Sequence, residues 1–358
     1  MSQFTVRSGP FTHAPTSVRA TMVLVLLALL PATAFNLWLF GWPALLMFLS
    51  TVLFCLLAEA GCLILAKKPL MPSLGDGSVV LTGWLLAMSL PPWAPWWICL
   101  LGAIFAVVLA KHLFGGIGQN VFNPAMVGRV ALLVSFPLQM TAFVSARPLA
   151  SASAPGFGQS LGMIFGHTPW PDQVSAASAL GYVKTELSRG VPVTQSMHHL
   201  PDLMDMALGL HPGSFGETSA LLLLLGGLLL LARRVITWHI PVAVMGSLFL
   251  LASLFHAADP GRYAGGLFHL LSGATFLGAF FIATDYVTSP ITKKGQLLYG
   301  CGVGGLTWLI RTFAGYPEGM AFAVLLMNAL TPIIDHHLRP RAFGRTPQGE
   351  PLPLKERT

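Results

Sequence analysis

Apolar residues gather along this chain into long blocks separated by short polar turns. The blocks cover 20–41, 43–66, 78–92, 93–111, 123–144, 216–232, 235–256, 266–284, 295–312 and 319–335. A helix needs about 20 apolar residues to cross a bilayer, and fewer when it is short or broken. The pattern therefore predicts ten membrane helices. One long polar interval, 145–215, interrupts the series. It holds Glu186, Asp202 and Asp205 among Pro, Ser and Gly, and predicts short amphipathic helices near 172–189 and 194–209.

Composition agrees. The chain has 358 residues, 54% of them hydrophobic and 9% charged, with a mean hydropathy of +0.71. Soluble domains carry about 25% charged residues. Arg7 and Arg19 precede the first block, and Ala32-Thr33-Ala34 resembles a cleavage site. The apolar character continues past it to Trp42, so the block reads as an uncleaved first membrane helix.

Basic residues orient the helices. With the N-terminus cytoplasmic, fifteen Lys and Arg fall in inner segments, Arg129 among them. Five fall outside: Arg147, Lys184, Arg189, Arg262 and Arg311. This satisfies the positive-inside rule. It places both termini in the cytoplasm and 145–215 outside, and it explains the net charge of +7 without a nucleic-acid partner.

The expected fold is an all-α polytopic membrane protein of about ten helices, in two five-helix halves at 1–144 and 216–340. The outer region 145–215 lies between them and a cytoplasmic tail, 341–358, follows. Five helices per half require the second half to be inverted. "NPAM" at Asn123–Met126 and "NALTP" at Asn328–Pro332 fall in the fifth and tenth helices. They predict breaks around a central site, or simple proline kinks. Four cysteines, Cys55, Cys62, Cys99 and Cys301, show no metal-ligand spacing and read as buried apolar residues.

Ionisable residues in membrane blocks are costly and point to function. Glu59 lies near the inner end of the second helix, Asp285 ends the eighth, and Asp335 and His336 end the tenth. Glu59 and Asp285 are candidates for an ion pathway, or interfacial residues that reach water. The run "KHLFGGIGQNVFNPAMVGR" (Lys111 to Arg129) offers Gly115 and Gly116 for close backbone approach. Asn120 and Asn123 offer amides to a heterocycle edge. It is not a dinucleotide fingerprint, and a re-entrant turn that only packs would look the same.

Two segments end a small-residue run in a hydroxyl: "SAAS", Ser175 to Ser178, and "SGAT", Ser272 to Thr275. Such a hydroxyl can be esterified to the phosphate of FMN. Asp172 precedes the first segment. Thr275 falls about 13 Å down the eighth helix at 1.5 Å per residue, beyond the reach of a soluble modifying enzyme, whereas Ser178 lies in the outer region. A plain loop serine remains the alternative.

The runs "GGIGQNVFNPAMVGRVALLVSFPLQMT" (115–141), "HLLSGATFLGAFFIATDYVTSP" (269–290) and "WLIRTFAGYPEGMAFAVLLMNALTPIIDHH" (308–337) carry a resemblance, as do "SGPFTHAPTSV" and "MSLPPWAPWW". In order and over nearly the whole length, the chain resembles the D subunits of Rnf electron-transport complexes. It is more distantly similar to the B subunits of sodium-translocating NADH:quinone oxidoreductases. The resemblance implies an inner-membrane subunit, working with other membrane, Fe–S and flavin subunits. The complex passes electrons between ferredoxin and NAD and couples this to Na⁺ or H⁺ movement. It also implies covalent FMN on a D-x-x-S-x-A-T motif, with non-covalent riboflavin as a further cofactor. Here the motif runs from Asp172 through Ser175 to Ser178. Serine replaces the usual threonine, and Ala179 stands where the family tends to have proline. For riboflavin the candidates are Gly115, Gly116, Asn120 and Asn123. The rival readings are a channel or secondary transporter without a redox centre, and a quinone-reducing subunit.

Overall fold

The computed structural model describes residues 17–149, 151–166, 175–340 and 344. The first two apolar blocks form α1 (Val18–Leu65), which changes course at Gly41 (φ 71°, ψ −158°). The carbonyls freed there are met by other chain segments. Trp93 Nε1 donates to Phe40 at 3.1 Å, and the backbone N–H groups of Arg147 and Leu149 donate to Leu39 and Trp38. After the short α2 (Leu70–Leu74), α3 (Ser78–Ser89) stops ahead of Pro91 and Pro92. Helix α4 (Trp96–Ala103) continues as a π-helix over Ile104–His112. Asn123 caps α5 (Pro124–Ser135) through a bond from Met126 N, with Pro124 at the first helical position.

Short elements follow, beginning ahead of the 145–215 region, because α5 already ends at Ser135 rather than continuing to 144. α6 (Pro137–Thr141) leads to β1 (Phe143–Val144), which pairs antiparallel with β2 (Ser175–Ala176). α7 (Phe157–Phe165), α8 (Ala179–Ser188), α9 (Val193–Ser196), a 3₁₀ turn (Met197–His199) and α10 (Leu203–Leu208) complete the region. α8 to α10 fall where amphipathic helices were expected.

The second half comprises α11 (Ala220–Ala232), α12 (His239–Ala258), α13 (Gly266–Leu271), α14 (Thr275–Leu277) with its π extension Gly278–Ile282, α15 (Lys293–Phe313) and α16 (Met320–His337). α12 and α15 approach through small residues. A Cβ on Gly300 would come within 2.7 Å of Ala243 and 2.9 Å of the Ile240 carbonyl. The halves share one core, to which Met47, Leu86, Met126, Phe215, Phe280 and Tyr299 belong. Asn36 ties α1 to the start of α11, donating to the Phe215 carbonyl and accepting from Thr218.

Among the described helices, Val18–Leu65 and His239–Ala258 are long and apolar enough to cross a membrane. Leu53, Leu57, Leu225, Leu250 and Leu254 stand exposed, as a lipid-facing surface requires.

Three expectations change. The tenth helix is not interrupted at "NALTP", because α16 runs continuously through Pro332. A single proline removes one helical bond, and flanking side chains and packing tolerate that. The real break falls at Ser272–Ala274, where Ser272 is extended and Gly273 has φ +65°. Arg129 does not lie in an inner loop. It is buried in α5 (4% exposed) and points to Ser214 and Glu217.

Candidate functional site

Two places collect the candidate residues. The first is the head of α8. Ser178 is its N-cap, half-buried, with Oγ accepting from Gly181 N at 3.2 Å. It opens into a small cleft with Arg129, Thr141, Phe143, Glu217, Pro317 and Glu318. Sequence reasoning did not single out Arg129, Glu217 or Glu318 here. Each is separated from Ser178 by a long stretch of chain, and only folding joins them. Arg129 lies 3.2 Å from Ser214 Oγ and 3.5 Å from Glu217. Arg311 pairs with Glu318 at 2.9 Å. Lys184, one turn and a half along α8, donates to the carbonyls of Arg311, Ala314 and Tyr316 at the end of α15. Burial pulls the Lys184 pKa below its ordinary value. These three bonds pin α8 and hold Ser178 against the loop that follows α15.

The backbone of Ser175 pairs with Val144 in the two-residue ladder, while Asp172 lies outside the described residues. Thr275 is fully buried at the start of α14, not part-way down a helix. Its hydroxyl donates to the carbonyls of His269 (3.0 Å) and Ser272 (3.1 Å) and accepts from Arg311 at 3.1 Å. That oxygen is occupied in holding the helix break together.

The second place is a cleft of about 840 Å³, including its open mouth, lying between the halves. Asn120, Asn123 and Asp285 line it together with Ser78, Lys111 and the rings of Phe280 and Phe281. Both π-helical stretches border it, and such stretches concentrate at functional sites. With the Asn328 amide turned so that its oxygen faces Asn123, Asn123 N donates to it at 3.1 Å. The two asparagines of "NPAM" and "NALTP" thus meet.

Gly115 (φ 118°) and Gly116 (φ 108°) do not line the cleft. They shape the turn that brings Ile117 and Asn120 to it. The half-buried Asp285 accepts from Val287 N (3.3 Å) and Thr288 Oγ1 (3.2 Å). Glu59 does not reach water: it is 2% exposed, with Lys111 Nζ 2.9 Å and 3.0 Å from its two oxygens. Lys111 also donates to Ser78 Oγ at 3.0 Å. Cys55 and Cys99 are buried, whereas Cys301 is exposed.

Residues 5–344 match the NQR2, RnfD, RnfE family. The chain belongs to this family. It is 52% identical to the D subunit of the ion-translocating oxidoreductase complex of Halorhodospira halophila, over 96% of this chain and 97% of that protein. The protein of the same name from Stutzerimonas stutzeri is 51% identical over 94% and 95% of the two chains, and that from Rhodobacter capsulatus 47% over 95% and 94%. All three relatives are named as subunits of an ion-translocating oxidoreductase complex.

Proposed function

We propose that this chain is the membrane flavoprotein subunit of an ion-translocating oxidoreductase complex. It relays electrons through FMN esterified to Ser178 and riboflavin in the cleft, in a complex that exchanges electrons between ferredoxin and NAD while moving Na⁺ or H⁺. The observation that carries this reading is the position of Ser178. Its hydroxyl is half-buried, caps a ten-residue helix and faces a cleft. A phosphoester there would place its negative charge at a helix N-terminus, where free N–H groups and the helix dipole favour anions.

Flavins supply one- and two-electron transfer, while the protein sets position and potential. The residues present suit both sites. Gly181 N–H already points at the Ser178 oxygen, and Lys184 holds α8 in place. In the cleft, Phe280 and Phe281 provide apolar walls for a flat ring and Asn120 and Asn123 provide amides for its polar edge. Ten membrane helices in two inverted halves complete the reading, with both termini cytoplasmic, 145–215 periplasmic and the chain in the inner membrane.

The test is in-gel fluorescence. Protein made in a host with the flavin transferase, then purified and denatured, should glow under ultraviolet light. Ser178→Ala should be dark, and Ser178→Thr should stay bright because both residues offer the same oxygen. A dark wild-type band sinks the covalent-flavin reading and favours a transporter without a redox centre. A bright Ser178→Ala band moves the attachment elsewhere.

A further inference from the structure

The Glu59 cluster has a feature that an ordinary buried ion pair lacks: it is continuous from the cleft wall to the protein surface. Ser78 and Lys111 line the cleft. Ser78 Oγ is 3.0 Å from Lys111 Nζ, Lys111 Nζ is 2.9 Å from Glu59, and Glu59 Oε2 is 2.9 Å from His112 Nε2. The Lys111 and Glu59 side chains are 4% and 3% exposed, whereas His112 is 13% exposed. His112 follows Lys111 at the end of the π-helix, where the register turns both side chains toward Glu59 of α1. Its Nε2 lies within reach of the carboxylate but off the line of a hydrogen bond, and has no other partner among the described residues.

The geometry points to a proton relay running from His112 through Glu59, Lys111 and Ser78 into the cleft. It rests on the reading that the cleft holds riboflavin, which takes up protons when reduced. Each pass moves one proton. Lys111 gives a proton through the Ser78 hydroxyl to the reduced ligand and is left neutral. The Glu59 carboxylate then takes a proton from the His112 imidazolium and passes it to Lys111, and His112 takes a proton from water at the other ring nitrogen. Only N–H and O–H bonds change. The electrons arrive separately, from a reduced donor on a partner subunit.

The Lys111 and Glu59 heads touch at 2.9 Å, so a proton passes between them without crossing open solvent. The relay's other neighbours are Cys55 and Cys62 on α1, Cys99 on α4, and Asp76, whose carboxylate accepts from Ser78 N at 2.7 Å. Lys68 reaches the Gly115 carbonyl nearby, and Asp285 lies in the same cleft as Lys111.

The test uses the whole complex in detergent. In one sample, acid precipitation releases riboflavin into the supernatant, where chromatography separates it from any partner subunit's FMN. In a second, intact sample, rapid-mixing reduction of the bound flavin is followed by absorbance in H₂O and D₂O. His112→Ala should slow reduction about a hundredfold, as loss of a proton-transfer group does. It should enlarge the solvent isotope effect, and added imidazole should restore most of the rate. Glu59→Gln should slow reduction as much, without rescue. If Glu59→Gln fails to assemble, His112→Ala decides. Reduction at the wild-type rate in His112→Ala, or slowing with neither rescue nor isotope effect, overturns the relay alone. A wild-type supernatant without riboflavin overturns the reading of the cleft, and the relay with it.

Discussion

Ser178 and Thr275 both end a run of small residues in a hydroxyl, yet their oxygens do different work. The Thr275 oxygen meets two carbonyls and the Arg311 guanidinium in a dry interior, so esterifying it would break a buried network. Ser178 caps a helix at a cleft, and its oxygen accepts from Gly181 N. Accessibility separated the two in the sequence, but the Arg311 contact was not legible there. His211 is 2% exposed, with Nδ1 donating to the Pro212 carbonyl at 3.1 Å. Burial holds its folded-state pKa below the ordinary value, outweighing its backbone hydrogen bonds. The unfolded state therefore binds the proton first as pH falls. His211 leaves stability intact above about pH 6.5 and erodes it as pH drops from there toward the folded-state value. Limited proteolysis of the 190–215 segment should accelerate on acidification through that window. His211→Gln should flatten the dependence, and an unchanged profile would remove His211 as its cause.

At the scale of elements, helix positions were legible in the apolar blocks, while the breaks were only half legible. Asn123 and Pro124 carry an N-cap signature, and α5 begins there. Pro332 carries a breaker signature, yet α16 continues through it, with Thr331 Oγ1 bonded to the carbonyls of Met327 and Thr288. The break at Ser272–Ala274 had a quieter signal, a Ser-Gly pair in an apolar run. Folding makes it permanent: Arg311 binds the freed carbonyls of His269 and Ser272, and Glu318 accepts from Ala274 N. Gly273 is required there, since its φ is +65° and a Cβ would run into Glu318 and Arg311. Gly273→Ala should cost about 2 kcal/mol or more, from left-handed strain plus collision. Gly305→Ala, whose Cβ would find only ordinary contact with Leu251, should cost less than about 0.5 kcal/mol. Thermal unfolding in detergent compares them, and equal losses would contradict the assigned role of Gly273.

At the scale of the whole molecule, the charge pattern makes a directional prediction. Ser188→Cys on α8 should react with a membrane-impermeant maleimide in intact cells, in a background lacking the native cysteines. Lys294→Cys at the start of α15 should react only after permeabilisation. The reverse pattern would invert the proposed topology. The apolar blocks, the basic turns and the polar 145–215 interval are local properties. Hydrophobic length and charge bias act through each segment's own transfer between water and lipid, so the sequence by itself determined a helical membrane chain and the residues worth suspecting. What the tertiary structure alone decided is which of those residues meet. Asn123 reaches Asn328, Arg129 reaches Glu217, and Lys184 locks α8 onto the end of α15. Glu59, a candidate for a water-facing ion site, is buried with Lys111 and His112. Those contacts join positions far apart in the chain, and only the packing of whole helices sets their distances.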